Sequence, residues 1–320
     1  MSKIINLFKE NNNMNFVVKI YYQIFFLIIF LVLLSLIFSQ KIYDLDTSRV
    51  FSDNVLKTKK ESNLYSVKLL EDNYANNNFS IRKIRETNLV PNIIIPKLPN
   101  DLKEIRSTNN RKELFIKITL PIIIKENERL IFLNKKISRL KNQFNSTSRS
   151  EAIWLKNTMN AYKVNTIDRL LIKVDAVPVS IALAQAAIES GWGTSRFAYE
   201  GNALFGQYIW SKSAKGIIPN DRNSNATYKI KSFDSLRDSV ASYMKNLNTN
   251  SHYEEFRLNR FIMKNNNVKP IGNILATYLY NYSIEDDYPS KIQDIIRVNK
   301  FEDFETVKII KKPISTFEII

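Results

Sequence analysis

From Val179 to Ser190 the chain consists of small and aliphatic residues, relieved only by Ser180, Gln185, Glu189 and Ser190. A helix with one wet face shows an apolar stripe opposite a polar one, whereas a helix apolar on all sides is buried on all sides. Pro178 suits the first turn of such a helix, where its missing N–H is harmless, and Gly191 and Gly193 suit termination just past the last turn. A rod of this kind has to be wrapped by other elements, and the rest of the chain supplies helices. With 6 glycines and 9 prolines in 320 residues, a sheet sandwich full of tight turns is disfavoured, while abundant Lys, Leu, Ile and Asn fit helices joined by polar loops. The fold class expected is therefore mainly α.

On this rod Gln185 and Glu189 are four residues apart and share one face. A carboxyl in an apolar surround resists ionisation, and its raised pKa is what a general acid needs to protonate a glycosidic oxygen near neutral pH. A hydrated Glu at a helix end, paired with Arg196, is the plain structural alternative.

Composition narrows the remaining chemistry. The chain has no cysteine, which excludes disulfides, zinc-thiolate sites and a thiol nucleophile. A Ser-His-Asp triad or a histidine metal site would have to be built on the single histidine, His252, in the polar run from Asn248 to Tyr253. No metal or cofactor is expected, and carboxylates remain the main catalytic candidates. The net charge of +16 implies attraction to something anionic, whether nucleic acid, phospholipid headgroups or acidic wall polymers, beside a solvated basic surface that accounts for half or more of the excess. Nucleic acid is disfavoured, because no basic run interleaved with stacking aromatics and no helix-turn-helix or zinc-finger spacing is present.

Residues 20–38 are almost wholly apolar, close to the roughly 20 residues needed to cross a bilayer. The stretch is longer than a signal-peptide core and lacks a small-x-small cleavage site, so an uncleaved anchor is expected. Lys3, Lys9 and Lys19 before it, and Asp44 and Asp46 after it, place residues 1–19 in the cytoplasm and the remainder outside, on the periplasmic side. Residues 39–97 read as a polar tether, with Asn92 to Ile95 an edge strand or extended lead-in between Pro91 and Pro96. Residues 98–150 read as a helical lead-in, with one helix over Arg111 to Thr119 and a long amphipathic run after Pro121. Glu151 to Tyr162 and Thr166 to Leu171 are expected as helices, the second capped by Thr166. The chemistry-bearing domain is expected over 151–300, with a tail at 301–320.

The run Leu183 to Ser195, followed by Asn202-Ala203-Leu204-Phe205-Gly206-Gln207, closely resembles the Bax-type glucosaminidase domain. The likeness continues through Gly216 to Pro219, Phe233-Asp234-Ser235, Ser239 to Met244, Asn246 to Thr249 and Tyr282-Ser283. Upstream, Leu98-Pro99, Arg111-Lys112, Leu120-Pro121 and Glu126-Asn127 resemble the helical region preceding that domain, so the likeness covers roughly 98–299. The resemblance implies a lysozyme-like, two-lobed helical fold with a small β-hairpin lobe. It also implies cleavage of the peptidoglycan glycan strand at N-acetylglucosamine, with Glu189 as general acid. Gln185, Trp192 and Asn202 would bind substrate, and Tyr282 falls where the family places a tyrosine facing the acid. Phe205, Gln207 and Tyr208 are cleft-lining candidates, since sugar sites combine aromatic faces with amide groups.

Glycoside hydrolysis ordinarily needs a second carboxylate. Lys229 stands where many relatives of the resembled family carry Glu, and the nearest acid in that stretch, Asp221, is the candidate substitute. Participation by the substrate's own acetamide would dispense with an enzyme nucleophile. A lytic transglycosylase and a non-catalytic wall-binding scaffold remain the alternative functions.

Overall fold

The computed structural model describes residues 66–143, 146–223 and 225–310. The expected anchor at 20–38 and its flanks lie outside them. Among the described residues no helix is long and apolar enough to cross a membrane.

In chain order the described elements are α1 (Val67–Asn76), α2 (Ile81–Thr87), β1 (Leu89–Val90), α3 (Thr108–Asn142), α4 (Arg149–Ala161), α5 (Ile167–Lys173), α6 (Val179–Ser190) and α7 (Arg196–Gly201). There follow β2 (Tyr208–Ile209), β3 (Gly216–Ile217), β4 (Lys229–Lys231), α8 (Leu236–Thr249), α9 (Glu254–Asn265), α10 (Gly272–Leu275), α11 (Tyr288–Val298) and β5 (Lys308–Ile309), with short 3-10 turns between. The mainly helical expectation holds. Most helices start on a hydroxyl: Ser66, Ser80, Ser107, Ser148, Thr166, Ser195 and Ser235 each accept a backbone N–H of the first turn. Such a cap contributes about 1 kcal/mol. Ser148 and Glu151 form a full capping box.

The rod expected from the sequence is α6, and Val179 through Ala187 are all buried. It packs against α3, a helix of 35 residues that runs unbroken through Pro121. The sequence reading divided this helix at Pro121, because an interior proline removes a hydrogen bond and costs about 3 kcal/mol. Burial of Leu114, Phe115, Ile118, Leu120, Ile122, Ile123 and Leu130 on both sides of it outweighs that cost and carries the helix through.

Two boundaries differ from the sequence reading. The polar tether does not extend to residue 97, since α1, α2 and β1 bury Leu70, Tyr74, Phe79, Ile84 and Val90 in the common core. Nor does a tail begin at 301, since Phe301 and Phe304 are fully buried and β5 pairs in parallel with β1, Leu89 opposite Lys308 and Val90 opposite Ile309. Two apolar stretches more than two hundred residues apart thus close on each other, a pairing that local composition does not reveal. Asn92 to Ile95 has no regular secondary structure, and the strand lies just before it at Leu89–Val90. The other sheet is antiparallel and three-stranded, in the order β2-β4-β3, and stands between α7 and α8 in the chain.

Candidate active site

Both ends of α6 carry a glutamate, with opposite consequences. At the N-terminus Pro178 offers no capping side chain, and Glu305 takes that role: its Oε2 accepts from Val179 N at 2.9 Å and its Oε1 from Ser180 N at 3.1 Å and from the Ser180 hydroxyl. A carboxylate is favoured there by the free N–H groups and the positive end of the helix dipole. Burial nevertheless moves the Glu305 pKa upward. Glu189 sits in the last turn, the negative end of the dipole, where a second negative charge is disfavoured.

The turn below Glu189 is tightly specified. Gly191, Trp192 and Gly193 all have positive φ, at 56°, 58° and 80°. A Cβ on Gly193 would stand 2.8 Å from Leu102 and 3.0 Å from Phe115, so only glycine fits both the backbone and the space. The Ser190 hydroxyl donates to Ala186 O and accepts from Gly193 N at 2.9 Å, which commits it to holding this turn. Trp192 is half-buried against Phe115 (5.8 Å) and Phe301 (6.2 Å), with the Lys112 ammonium over its ring. Its ring is thus a packing element of the helical body.

Around the Glu189 carboxyl the chain assembles a group of tyrosines. The Tyr288 hydroxyl, from the first turn of α11, donates to Glu189 Oε1 at 2.7 Å and accepts from Gln185 Nε2 at 3.0 Å. Gln185 Oε1 in turn accepts from the Tyr243 hydroxyl of α8. The polar stripe read from the sequence is therefore one directed chain of donors, Tyr243 to Gln185 to Tyr288 to Glu189. It leaves Oε2 without a hydrogen bond among the described residues, and a Cβ on Gly206 would lie 3.5 Å from it. Gly206, at φ 57°, lets the backbone pass close to the acid.

The rings interlock behind this chain. Phe205 is buried and stacks on Tyr243 at 3.8 Å, Tyr282 stacks on Tyr288 at 5.4 Å, and Tyr253 and Tyr243 flank Tyr282. Tyr282 lies close enough to Glu189 for the carboxylate's charge to help raise its own pKa, and among the described residues it makes no hydrogen bond to the acid. Its hydroxyl donates to Phe205 O at 3.2 Å, and its ring backs Tyr288, which does reach Glu189.

Burial in this setting raises the Glu189 pKa from its ordinary 4.5; the hydrogen bond from Tyr288 opposes the shift, and the negative charge of Glu285 adds to it. The tyrosines respond in the same sense. Burial pushes Tyr253 up to about 12 and lifts Tyr243, Tyr282 and Tyr288 further, so all four stay protonated donors. Tyr243, Tyr288 and Glu285 were not singled out by the sequence. Tyr243 lies in a stretch already noted for its resemblance, whereas Tyr288 is one of 15 tyrosines with no local spacing to mark it.

The other sequence candidates take different places. Asn202, buried and left-handed at the end of α7, donates from Nδ2 to Phe233 O at 3.0 Å and holds the chain entering the sheet. Gln207 accepts from the Ser242 hydroxyl at 2.8 Å, joining the sheet to α8. Tyr208 is exposed on β2. Asp221 is exposed in the turn between β3 and β4 and, among the described residues, makes no hydrogen bond or ion pair. Lys229 is committed to structure, its ammonium donating to Ala214 O at 2.6 Å and Lys212 O at 3.2 Å. His252 is exposed, as expected of a loop histidine.

A cavity of about 850 Å³ lies at the other end of α6, lined among others by Val177, Pro178, Val179, Arg260 and Glu305. Ten helical residues, about 15 Å, separate that end from Glu189. Its carboxyls, Asp175, Glu128 and Glu305, have no tyrosine beside them in its lining, and the chemistry puts the candidate site at Glu189.

A buried helix thus delivers one shielded carboxyl into a cluster of tyrosines. Residues 165–301 match the glucosaminidase family described as mannosyl-glycoprotein endo-beta-N-acetylglucosaminidase. Protein bax of Escherichia coli (strain K12) is 33% identical over 199 residues, covering 57% of this chain and 67% of the relative. The crystal structure of the catalytic domain of the autolysin Auto from Listeria monocytogenes matches with a TM-score of 0.32 at 16% identity, covering 51% of this chain and 96% of that one. The chain belongs to the Bax-type glucosaminidase family, which places it among glycoside hydrolases by family.

Proposed function

We propose that the protein is an endo-β-N-acetylglucosaminidase that cleaves the glycan strand of peptidoglycan, with Glu189 as the proton donor, held at the outer face of the cytoplasmic membrane by residues 20–38. The observation that carries the reading is the Glu189 carboxyl: half-buried, raised in pKa, held at Oε1 by Tyr288 and free at Oε2 beside Gly206. In this reading a lysozyme-like cleft runs past Gly206, and Glu189 Oε2–H gives its proton to the glycosidic oxygen as the bond to the anomeric carbon breaks. Commitment of Lys229 to loop carbonyls and the exposed, unpartnered Asp221 favour a reaction with no enzyme nucleophile. The acetamide oxygen of the reacting N-acetylglucosamine then attacks the anomeric carbon, and water opens the resulting oxazoline to give the free reducing sugar. Gln185, Tyr243, Tyr282 and Phe205 position the acid and the wall behind it.

Because the Tyr288 hydroxyl stabilises the ionised form of Glu189, Tyr288→Phe removes the group that lowers its pKa. The folded pKa rises further, so the acid stays protonated to higher pH. The alkaline limb of the kcat profile is expected to move up while kcat falls about tenfold, in keeping with the ~1.5–3 kcal/mol of a hydrogen bond to a charged group. An unshifted limb would show that Tyr288 serves packing alone.

The second reading, a lytic transglycosylase, shares the single acid and differs in what attacks the anomeric carbon. Mass spectrometry of fragments from purified peptidoglycan decides between them. New reducing N-acetylglucosamine ends are expected, and anhydro-muramic ends in their place would overturn the hydrolase reading.

A further inference from the structure

The three-stranded sheet carries an aromatic cluster that its own packing does not require. Tyr208 is 56% exposed and Trp210 66% exposed, more than Phe132 at 49% or Tyr280 at 45% on the helical body. The two rings lie 6.2 Å apart, and Tyr228 closes on Tyr208 edge-to-face at 5.0 Å. Tyr208 and Trp210 are alternate residues along one extended segment and so share a face.

We propose that Tyr208, Trp210 and Tyr228 form a platform on which sugar rings of the glycan strand, beyond the reacting bond, stack. The proposal rests on the glycosidase reading and extends it from the acid to the strand. Continuity with the acid carries it. Gly206 passes beside Glu189 Oε2, and the same segment continues directly to Tyr208 and Trp210. At about 3.3 Å per extended residue, the aromatic positions stand at most about 7 and 13 Å along the chain from Gly206. They are spaced as successive contacts for a polymer leading away from the scissile bond.

The chemistry of the platform selects the occupant. A pyranose ring offers a face of C–H bonds bordered by equatorial hydroxyls. Indole and phenol offer matching apolar faces with N–H and O–H groups at the rim. Charge favours an acidic strand over a neutral one: from Gln207 to Asp234 the chain carries Lys212, Lys215, Arg222, Lys229 and Lys231 against Asp221 and Asp234. A wall strand, whose lactyl-ether amino sugars carry amide-linked peptides with free carboxylates, fits that balance better than a plain N-acetylglucosamine polymer.

The test uses the full chain with Trp210→Ala, and Ile218→Ala as a control, since Ile218 is 52% exposed in the same sheet region but outside the aromatic cluster. Binding is measured by co-sedimentation with purified sacculi in a Glu189→Gln background, and turnover in the otherwise wild-type chain. Trp210→Ala is expected to weaken sacculus binding about tenfold, equivalent to ~1.4 kcal/mol. It should raise KM on sacculi with kcat preserved, and Ile218→Ala should change neither. Unchanged binding would overturn the platform, as would an equal loss in Ile218→Ala or a loss directed at anionic phospholipid vesicles instead of sacculi. If the parent chain releases no fragments at all, the hydrolase reading fails, while aromatic-dependent sacculus binding still decides the platform.

Discussion

Glu189→Gln is expected to lower glycan hydrolysis by about 10³-fold, within the range for loss of a general acid, while leaving the fold intact. Glutamine matches the carboxyl in size, and its Oε1 can still accept from the Tyr288 hydroxyl, so the donor chain from Tyr243 survives. What disappears is the proton on Oε2. Stability should move the other way. The folded state holds the Glu189 pKa above its ordinary 4.5, so the fold binds that proton more tightly than the unfolded chain does. The residue's contribution to stability is therefore greatest below 4.5 and declines as pH rises through the folded value. Glutamine carries no charge at any pH, so the variant is expected to melt higher than wild type at pH 7, with the advantage vanishing at pH 4. Loss of activity together with a lower melting point at pH 7 would indicate a structural glutamate.

Gly272→Ala is expected to destabilise the protein by about 3 kcal/mol, read as a lower urea midpoint at constant m-value, from the combined costs of overpacking and a damaged helix cap. A Cβ at Gly272 would fall 1.8 Å from the Ser180 hydroxyl oxygen and 3.1 Å from Glu305 Oε1. Either the α10 backbone retreats or Ser180 turns away and releases the carboxylate that caps α6. Because α6 delivers Glu189 from its other end, activity should fall along with stability. The mechanism is checked by a double-mutant cycle. Ser180→Ala removes the oxygen that the new methyl strikes, and the nearest remaining Ser180 atom is Cβ at 3.2 Å. The double variant is thus expected to be more stable than additivity predicts. Strict additivity would locate the cost elsewhere.

Legibility in the sequence followed the range of the forces involved. Helix α6 was readable because its signal is local: twelve residues apolar on every side, ended by glycines. Glu189 was readable for the same reason, as a carboxyl where burial penalises one. What holds it was not. Tyr288 comes from 99 residues away, and the glutamate that caps α6 from 125 or more. Neither position has a pattern of its own, since the contact exists only once α11 and β5 have folded back on α6. The tether was overextended because α1 and α2 are polar in bulk and bury little beyond Leu70, Tyr74, Ile81 and Ile84. Pro121 misled in the opposite direction, a strong local rule overcome by burial on both sides of the residue. Asn127 belongs with these nonlocal parts: its amide pairs with both Val177 N and Val177 O, fixing the approach to α6, and only the family resemblance had marked it.

These contacts converge on one physical claim, that the fold keeps the Glu189 carboxyl protonated above the pH at which a free glutamate ionises. Carbon-13 NMR of the protein labelled at the glutamate side-chain carboxyls, with Glu189→Gln identifying the resonance, follows that group directly through a pH titration. A midpoint above 4.5, rising further in Tyr288→Phe, is the result expected. A midpoint at or below 4.5 would contradict the account.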